Sequence, residues 1–356
     1  MNSAIAFCIG SVTVYWSGLV IALGAVAGFL LSYALYTAHS GRGSDIWIFF
    51  ALALLSGVFC SRLFHCLSNP EQYSALPLAF FDASQGSYWL PGAVIALIPA
   101  AWLTRCFGVK SSPGELLDAA APGMALTAAF VRFSALFNQS CRSAFSVKNT
   151  ALQHYPFAAA ASYTDASGNT VYHFATFFVS ALVMLLLAVF FLFFYIHSHG
   201  EKMKPPCSRF GNTARLFLAA FCSVEFVADS TRSDASPLHF LFLRFFNRFA
   251  VSVRLTQLFA LAVLIALMVY YTRCSEKANG RQRAQKVPVV LFALSVLGCI
   301  LTEILVRGSD RYLTLYLVQI VSSVLAAGSI GMQLHSCRDL SADYEEWEEA
   351  YRETGE

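Results

Sequence analysis

One pattern constrains this chain more than any other: runs of about 20 mainly apolar residues, the length that crosses about 30 Å of hydrocarbon, recur along almost all of it. They fall near 15–37, 46–66, 88–105, 117–138, 173–197, 214–230, 255–272, 287–306 and 312–335. A backbone in lipid must satisfy its own hydrogen bonds, so each run predicts a spanning helix. The sixth is the shortest and most polar. Of the 356 residues 57% are hydrophobic and 13% charged, more apolar surface than a soluble domain can hide. The expected fold is therefore all-α: a polytopic transmembrane helical bundle of about nine spans.

The distribution of Lys and Arg orients it. Alternate connections carry 14 on one side and eight on the other. Basic residues are retained on the cytoplasmic side, which puts the N-terminus outside and the C-terminus, with its acidic tail, inside. The expected location is the bacterial cytoplasmic membrane, with multiple passes. The first residues lack the basic stretch of a cleavable signal peptide, so the first span is expected to stay. Ten cysteines, scattered singly with no ladder at zinc-ligand spacing, read as packing residues. The two longest outward connections are 139–172 and 231–254. In the second, Arg232, Arg244, Arg248 and Arg254 alternate with His239, Phe240, Phe245, Phe246 and Phe249. That strip suits a segment lying on phospholipid headgroups, or is a loop that is merely basic.

Two of the 24 basic residues fall inside spans, Arg62 and Arg132. A buried guanidinium is costly without a partner, so each calls for one. Asp118 sits 14 residues before Arg132, about 20 Å away on one helix. Glu225 and Asp229, four apart on the sixth run and near its outer end, share a helix face and are better placed. A polar pocket lined by Arg62, Arg132, Asn138, Glu225 and Asp229 follows. Planar guanidinium groups suit phosphate oxygens, so an anionic phospholipid is the expected ligand. The alternative is that the arginines form ion pairs tying helices together, or snorkel to the interface.

The same residues carry a family likeness. Val14-Tyr15-Trp16-Ser17-Gly18-Leu19, Gly57-Val58-Phe59-Cys60-Ser61-Arg62-Leu63 and Gly86-Ser87-Tyr88-Trp89-Leu90-Pro91-Gly92-Ala93 come first. Asp118-Ala119-Ala120-Ala121-Pro122 and Arg132-Phe133-Ser134-Ala135-Leu136-Phe137-Asn138 follow, then Tyr172-His173-Phe174, Val224-Glu225-Phe226 and Gln257-Leu258. In this order they resemble the phosphatidylglycerol:prolipoprotein diacylglyceryl transferases. The pattern departs at Ser17 (family Tyr), Leu90 (His), Ala135 (Asn), Ser140 (Glu) and Phe221 (Arg), and Val131 and Ser134 replace glycines.

The resemblance implies transfer of a diacylglyceryl group from phosphatidylglycerol to the lipobox cysteine of a prolipoprotein. It implies Arg62, Arg132 and Asn138 around the phospholipid, to which the pocket adds Asp229, then His173, Arg132 and Glu225 in the chemistry, with His173 as the candidate base. Its partners are then phosphatidylglycerol, a prolipoprotein signal peptide and membrane lipid. Nothing in the sequence calls for a cofactor, a metal ion or nucleic acid. The expected organisation is a family-like seven-helix unit over 1–273, two additional spans over 274–335 and a tail over 336–356. Two other functions remain open at this point: a phospholipid-binding protein that has lost the chemistry, and a transporter or sensor whose buried charges line a pathway.

Overall fold

A computed structural model of the protein describes residues 5–10, 12–40, 42–68, 80, 89–137, 143, 145–147, 149–153, 158–164, 170–198, 203–204, 207–232, 254–279, 286–306 and 312–338. Among them are nine α-helices. They are α1 (Trp16–Ser40), α2 (Gly43–Ser68), α3 (Leu90–Leu103), α4 (Pro113–Phe133), α5 (Thr176–Ser198), α6 (Asn212–Thr231), α7 (Leu255–Asn279), α8 (Lys286–Val306) and α9 (Tyr312–His335). Each falls on one of the nine apolar runs, to within a few residues at most ends and seven at the end of α7. Eight of the helical segments are long and apolar enough to cross a membrane. The exception is α6, whose apolar sequence is interrupted by Glu225 and Asp229.

Two antiparallel hairpins add to the expected helices. One, β1 (Ile5–Ile9) with β2 (Val12–Tyr15), leads into α1. The other, β3 (Ala158–Thr164) with β4 (Thr170–Phe174), leads into α5. Both contain β-branched and aromatic residues that favour a strand over a helix turn. The segment 233–253, with Arg244, Arg248 and their aromatic neighbours, lies outside the described residues, as do Asn138 and Ser140.

Helix α4 is the hub, packing against α1, α3, α5 and α6. Its start is written in the sequence: Ser112 accepts a hydrogen bond from the Glu115 amide at 3.1 Å, and Pro113 occupies the first turn. Its middle is small. Ala119, Ala120, Ala121, Ala125, Ala128 and Ala129 are buried, which lets neighbouring backbones come close. The closest approach is to α1. A β-carbon on Gly28 would overlap Thr127 Oγ1 and the Gly123 carbonyl, and one on Gly123 would overlap Ser32 Oγ and the Gly28 carbonyl. At that separation the Thr127 hydroxyl lies within reach of the Gly24 carbonyl, 3.1 Å away, as well as its own Gly123 carbonyl at 2.9 Å.

Helix α4 also sets the start of α6. Gly211, at φ +92°, turns the chain into α6 in a conformation that glycine adopts freely. The buried Asp118 carboxylate then accepts the Gly211 amide at 2.6 Å and the Ala214 amide at 2.9 Å. Those are orphan donors of a helix N-terminus, where a negative charge is favoured. Asp118 is thus a cap supplied from a neighbouring helix. The last two helices pack on each other, and α9 lies against α6 and α7. The described cysteines are all free thiols, with Cys222, Cys299 and Cys337 buried.

Replacing Gly123 with Val should sharply lower the thermal midpoint in detergent, since overpacking costs about 1–3 kcal/mol. The same change at Gly328, where a β-carbon meets nothing within 4 Å, is the control and should leave the midpoint nearly unchanged.

Candidate functional site

The helices alternate in direction, so the ends of α2, α4, α6 and α8 meet the starts of α3, α5, α7 and α9 at one end of the bundle. Ser61 near the end of α2 donates to the Trp89 carbonyl at 2.8 Å, just before α3. Phe64 of α2 packs on Phe259 of α7 with ring centroids 5.4 Å apart. Trp16 at the start of α1 stacks on Phe137 beyond α4 at 6.2 Å. Ala135, Ala175 and Phe177 form a small apolar cluster that seats the start of α5. These contacts gather the polar residues of the end into one layer.

Arg132 lies in the last turn of α4, where the helix dipole favours a cation. Its guanidinium donates to both carboxylate oxygens of Glu225 on α6, and the two side chains are 5% and 3% exposed. One turn further along α6, the fully buried Asp229 accepts from Arg232 Nη1 at 3.2 Å. The guanidinium of Arg254, just before α7, donates to the backbone carbonyls of Asp229 and Arg232. It thereby closes the C-terminus of α6, whose last carbonyls have no partner within the helix. Arg62 is 3% exposed, near the end of α2, with Nε donating to the Phe80 carbonyl at 3.1 Å. These six side chains comprise four guanidinium groups and two carboxylates. With Glu303 at the end of α8 counted too, arginines still outnumber carboxylates among the described residues here, an electrostatic setting for an anion.

The sequence reading paired both arginines with Glu225 and Asp229. The structure pairs Arg132 with Glu225, turns Asp229 toward Arg232, and gives Arg62 a backbone carbonyl. His173 sits on β4 rather than at the helix start expected for it, opposite Ala159 of β3. The Val171-Tyr172-His173-Phe174 run takes strand pairing, and α5 begins only at Thr176. The Nδ1 of His173 is buried and, among the described residues, has no hydrogen-bond partner. Segment 143–147 stitches β4 to the end of α6: Ser146 bridges to His173 and Ser143 to Arg232. The Val147 amide donates to the Tyr172 carbonyl at 2.7 Å, and the Phe174 amide to the Phe145 carbonyl at 3.1 Å. Ser143 and Ser146 are three positions apart, so at most about 11 Å of chain separates the two bridges.

Sequence reasoning missed two contributors. Arg254 read as part of the basic strip, because nothing local marks it as the residue that closes α6. Gln319 of α9 was not singled out at all. It is fully buried, accepts from Ser230 Oγ of α6 at 2.9 Å and donates to Glu303 of α8 at 3.1 Å. Tyr316 adds a hydrogen bond to the Ser230 carbonyl at 3.1 Å. An amide in the middle of an apolar run is the signal that would have found Gln319. Among the described residues no cluster of three or more His, Cys, Asp or Glu side chains is placed to hold a metal ion.

Together these features define a multi-pass membrane protein with an arginine-rich, partly charge-balanced site at one end of its helical bundle. The chain belongs to the prolipoprotein diacylglyceryl transferase family, whose model matches residues 4–273. A phosphatidylglycerol–prolipoprotein diacylglyceryl transferase from Dehalococcoides mccartyi is 27% identical over 227 residues, 63% of this chain and 81% of the relative. A second from that species is 31% identical over 164 residues, 45% and 60% of the two chains. One from Clostridium botulinum is 32% identical over 136 residues, 38% and 52%. The arginines and carboxylates around α6 lie inside the matched segment. Glu303 and Gln319 lie beyond it.

Removing one partner of a buried ion pair leaves an uncompensated charge at a cost of about 3–5 kcal/mol, whereas an apolar pair of similar volume is often neutral. Glu225→Leu should therefore lower the unfolding midpoint well below that of the double variant Arg132→Met, Glu225→Leu. Gln319→Leu, which removes two buried hydrogen bonds, should cost about 1–3 kcal/mol in the same measurement.

Proposed function

We propose that the protein transfers the diacylglyceryl group of phosphatidylglycerol to the lipobox cysteine of a prolipoprotein, in a bacterial cytoplasmic membrane. The observation that carries this reading is the buried Arg132–Glu225 pair, set in an arginine-rich layer inside the segment matched by the family model. Such a layer suits a phosphodiester at the level of the headgroups.

In this reaction the substrate thiol loses its proton. Its sulfur attacks the glycerol carbon bonded to the phosphate oxygen, the carbon–oxygen bond breaks with its electrons leaving on glycerol phosphate, and a thioether forms. Arg132 and Arg62 hold the phosphate and stabilise the charge that develops on the leaving oxygen. Glu225 fixes the direction of the Arg132 guanidinium. His173, whose buried Nδ1 has no hydrogen-bond partner among the described residues, is the candidate to receive the thiol proton. In this reading residues 1–273 carry the chemistry, and the last two helices brace the end of α6. The N-terminus and the site end of the bundle face outward.

A second reading has its own support. Phe221, where the family likeness places an Arg, is buried and packs on Phe217 with ring centroids 5.9 Å apart. Ala135, in the place of an Asn, is buried in the apolar cluster at the start of α5. Apolar replacements at two polar positions fit a protein that holds phosphatidylglycerol without turning it over.

One reconstitution separates the two. Purified protein in vesicles containing phosphatidylglycerol is given a lipobox peptide, and the peptide mass is followed. Addition of one diacylglyceryl mass by the wild type supports transfer; retained phosphatidylglycerol with an unmodified peptide supports the second reading and rejects the first. For an active protein, Arg132→Ala should lose at least about 100-fold in rate, as when a transition-state charge donor is removed. Arg132→Lys should recover little of it, because an ammonium lacks the planar fork.

A further inference from the structure

The end of the bundle away from Arg132 holds an open cavity. A cavity of about 390 Å³ lies between the second half of α3, the first half of α4 and the first two turns of α6. That volume is within the range of about 300–1,000 Å³ usual for small-molecule sites. It is too small for another helix, which is about 10 Å across. Leu97, Leu117 and Phe217 form its apolar wall. Ile98 and Trp102 line it too and are exposed on the outer surface of α3, so it opens sideways, toward lipid.

The polar end of the cavity is basic. Arg105, in the turn after α3, places its guanidinium 5.0 Å from the Trp102 ring centroid. Arg215, in the first turn of α6, lies 4.7 Å over the Tyr270 ring and donates to Asn212 Oδ1 at 3.0 Å. No carboxylate lines the cavity, and among the described residues neither guanidinium forms an ion pair. Asp118 interacts with Arg215 electrostatically, but its carboxylate oxygens accept from the amides of Gly211 and Ala214. An apolar crevice open to the acyl region, with two guanidinium groups at one end and no carboxylate in its lining, matches a phosphate headgroup joined to a fatty chain.

We propose that this cavity binds one anionic phospholipid, with its phosphate between Arg105 and Arg215 and an acyl chain along Leu97 and Phe217. The proposal is independent of the transfer reaction at the other end.

The full-length protein in mild detergent is incubated with phosphatidic acid, phosphatidylethanolamine or inorganic phosphate. Retained lipid is counted by native mass spectrometry and thermal stability is followed in parallel. Two variants address the site from different sides: Arg105→Gln removes a charge on an exposed turn, and Ile98→Trp obstructs the lateral opening. Both should elute and unfold like the wild type before lipid is added. The wild type should retain one phosphatidic acid that both variants lose. For Arg105→Gln its affinity should fall by about tenfold or more, the effect of losing a hydrogen bond to a charged group. Arg132→Ala should keep this lipid. Equal retention by the wild type and both variants overturns the proposal, as does loss confined to Arg132→Ala or equal retention of phosphatidylethanolamine. If inorganic phosphate alone reproduces the stabilisation, the site binds a free anion and the lipid assignment fails.

Discussion

The structure depends on how closely α4 approaches α1. In lipid there is no hydrophobic force to push helices together, so association rests on van der Waals packing and on whatever hydrogen bonds close contact allows. Gly24, Gly28 and Gly123 remove the side chains that would hold the two backbones apart, and Thr127 then lies within reach of the α1 carbonyl at Gly24. Once that crossing is set, the remaining faces of α4, lined with alanines, receive α3, α5 and α6. The position of Arg132 at the far end of α4 follows from the same docking.

Polar groups at the ends of α6 are satisfied by other helices. Asp118 of α4 holds its first amides, and Arg254, ahead of α7, holds its last carbonyls. A helix too polar to qualify as a membrane span by composition is thereby fixed at both ends within an apolar bundle. Its two carboxylates stand where α4 and the end segment bring guanidinium groups to meet them. The cost of burying these charges is offset by mutual pairing.

The last two helices lie beyond the segment that defines the family, yet they are wired into it. Gln319 links Ser230 on α6 to Glu303 on α8, and Tyr316 reaches the carbonyl of the same serine. Ser230 is the residue after Asp229, so the hairpin bears on the part of α6 that carries Glu225 and Asp229. Likewise, segment 143–147 ties His173 to the end of α6 through backbone pairing, which no side-chain pattern announces.

The nine apolar runs determine nine helices because lipid leaves a backbone few other ways to satisfy its hydrogen bonds, and the start of α4 is legible in Ser112, Pro113 and Glu115. Arg62, Arg132, Glu225 and Asp229 stand out for the same reason: charge in an apolar run is costly enough to be noticed. Which charge meets which is a matter of distances between helices far apart in the chain, and only the tertiary structure decided it. It gave Glu225 to Arg132 and Asp229 to Arg232, made Asp118 a cap, moved His173 onto a strand, and brought Arg254 and Gln319 to the site. Local sequence specifies what each helix must hide, whereas packing between helices determines what it is hidden against.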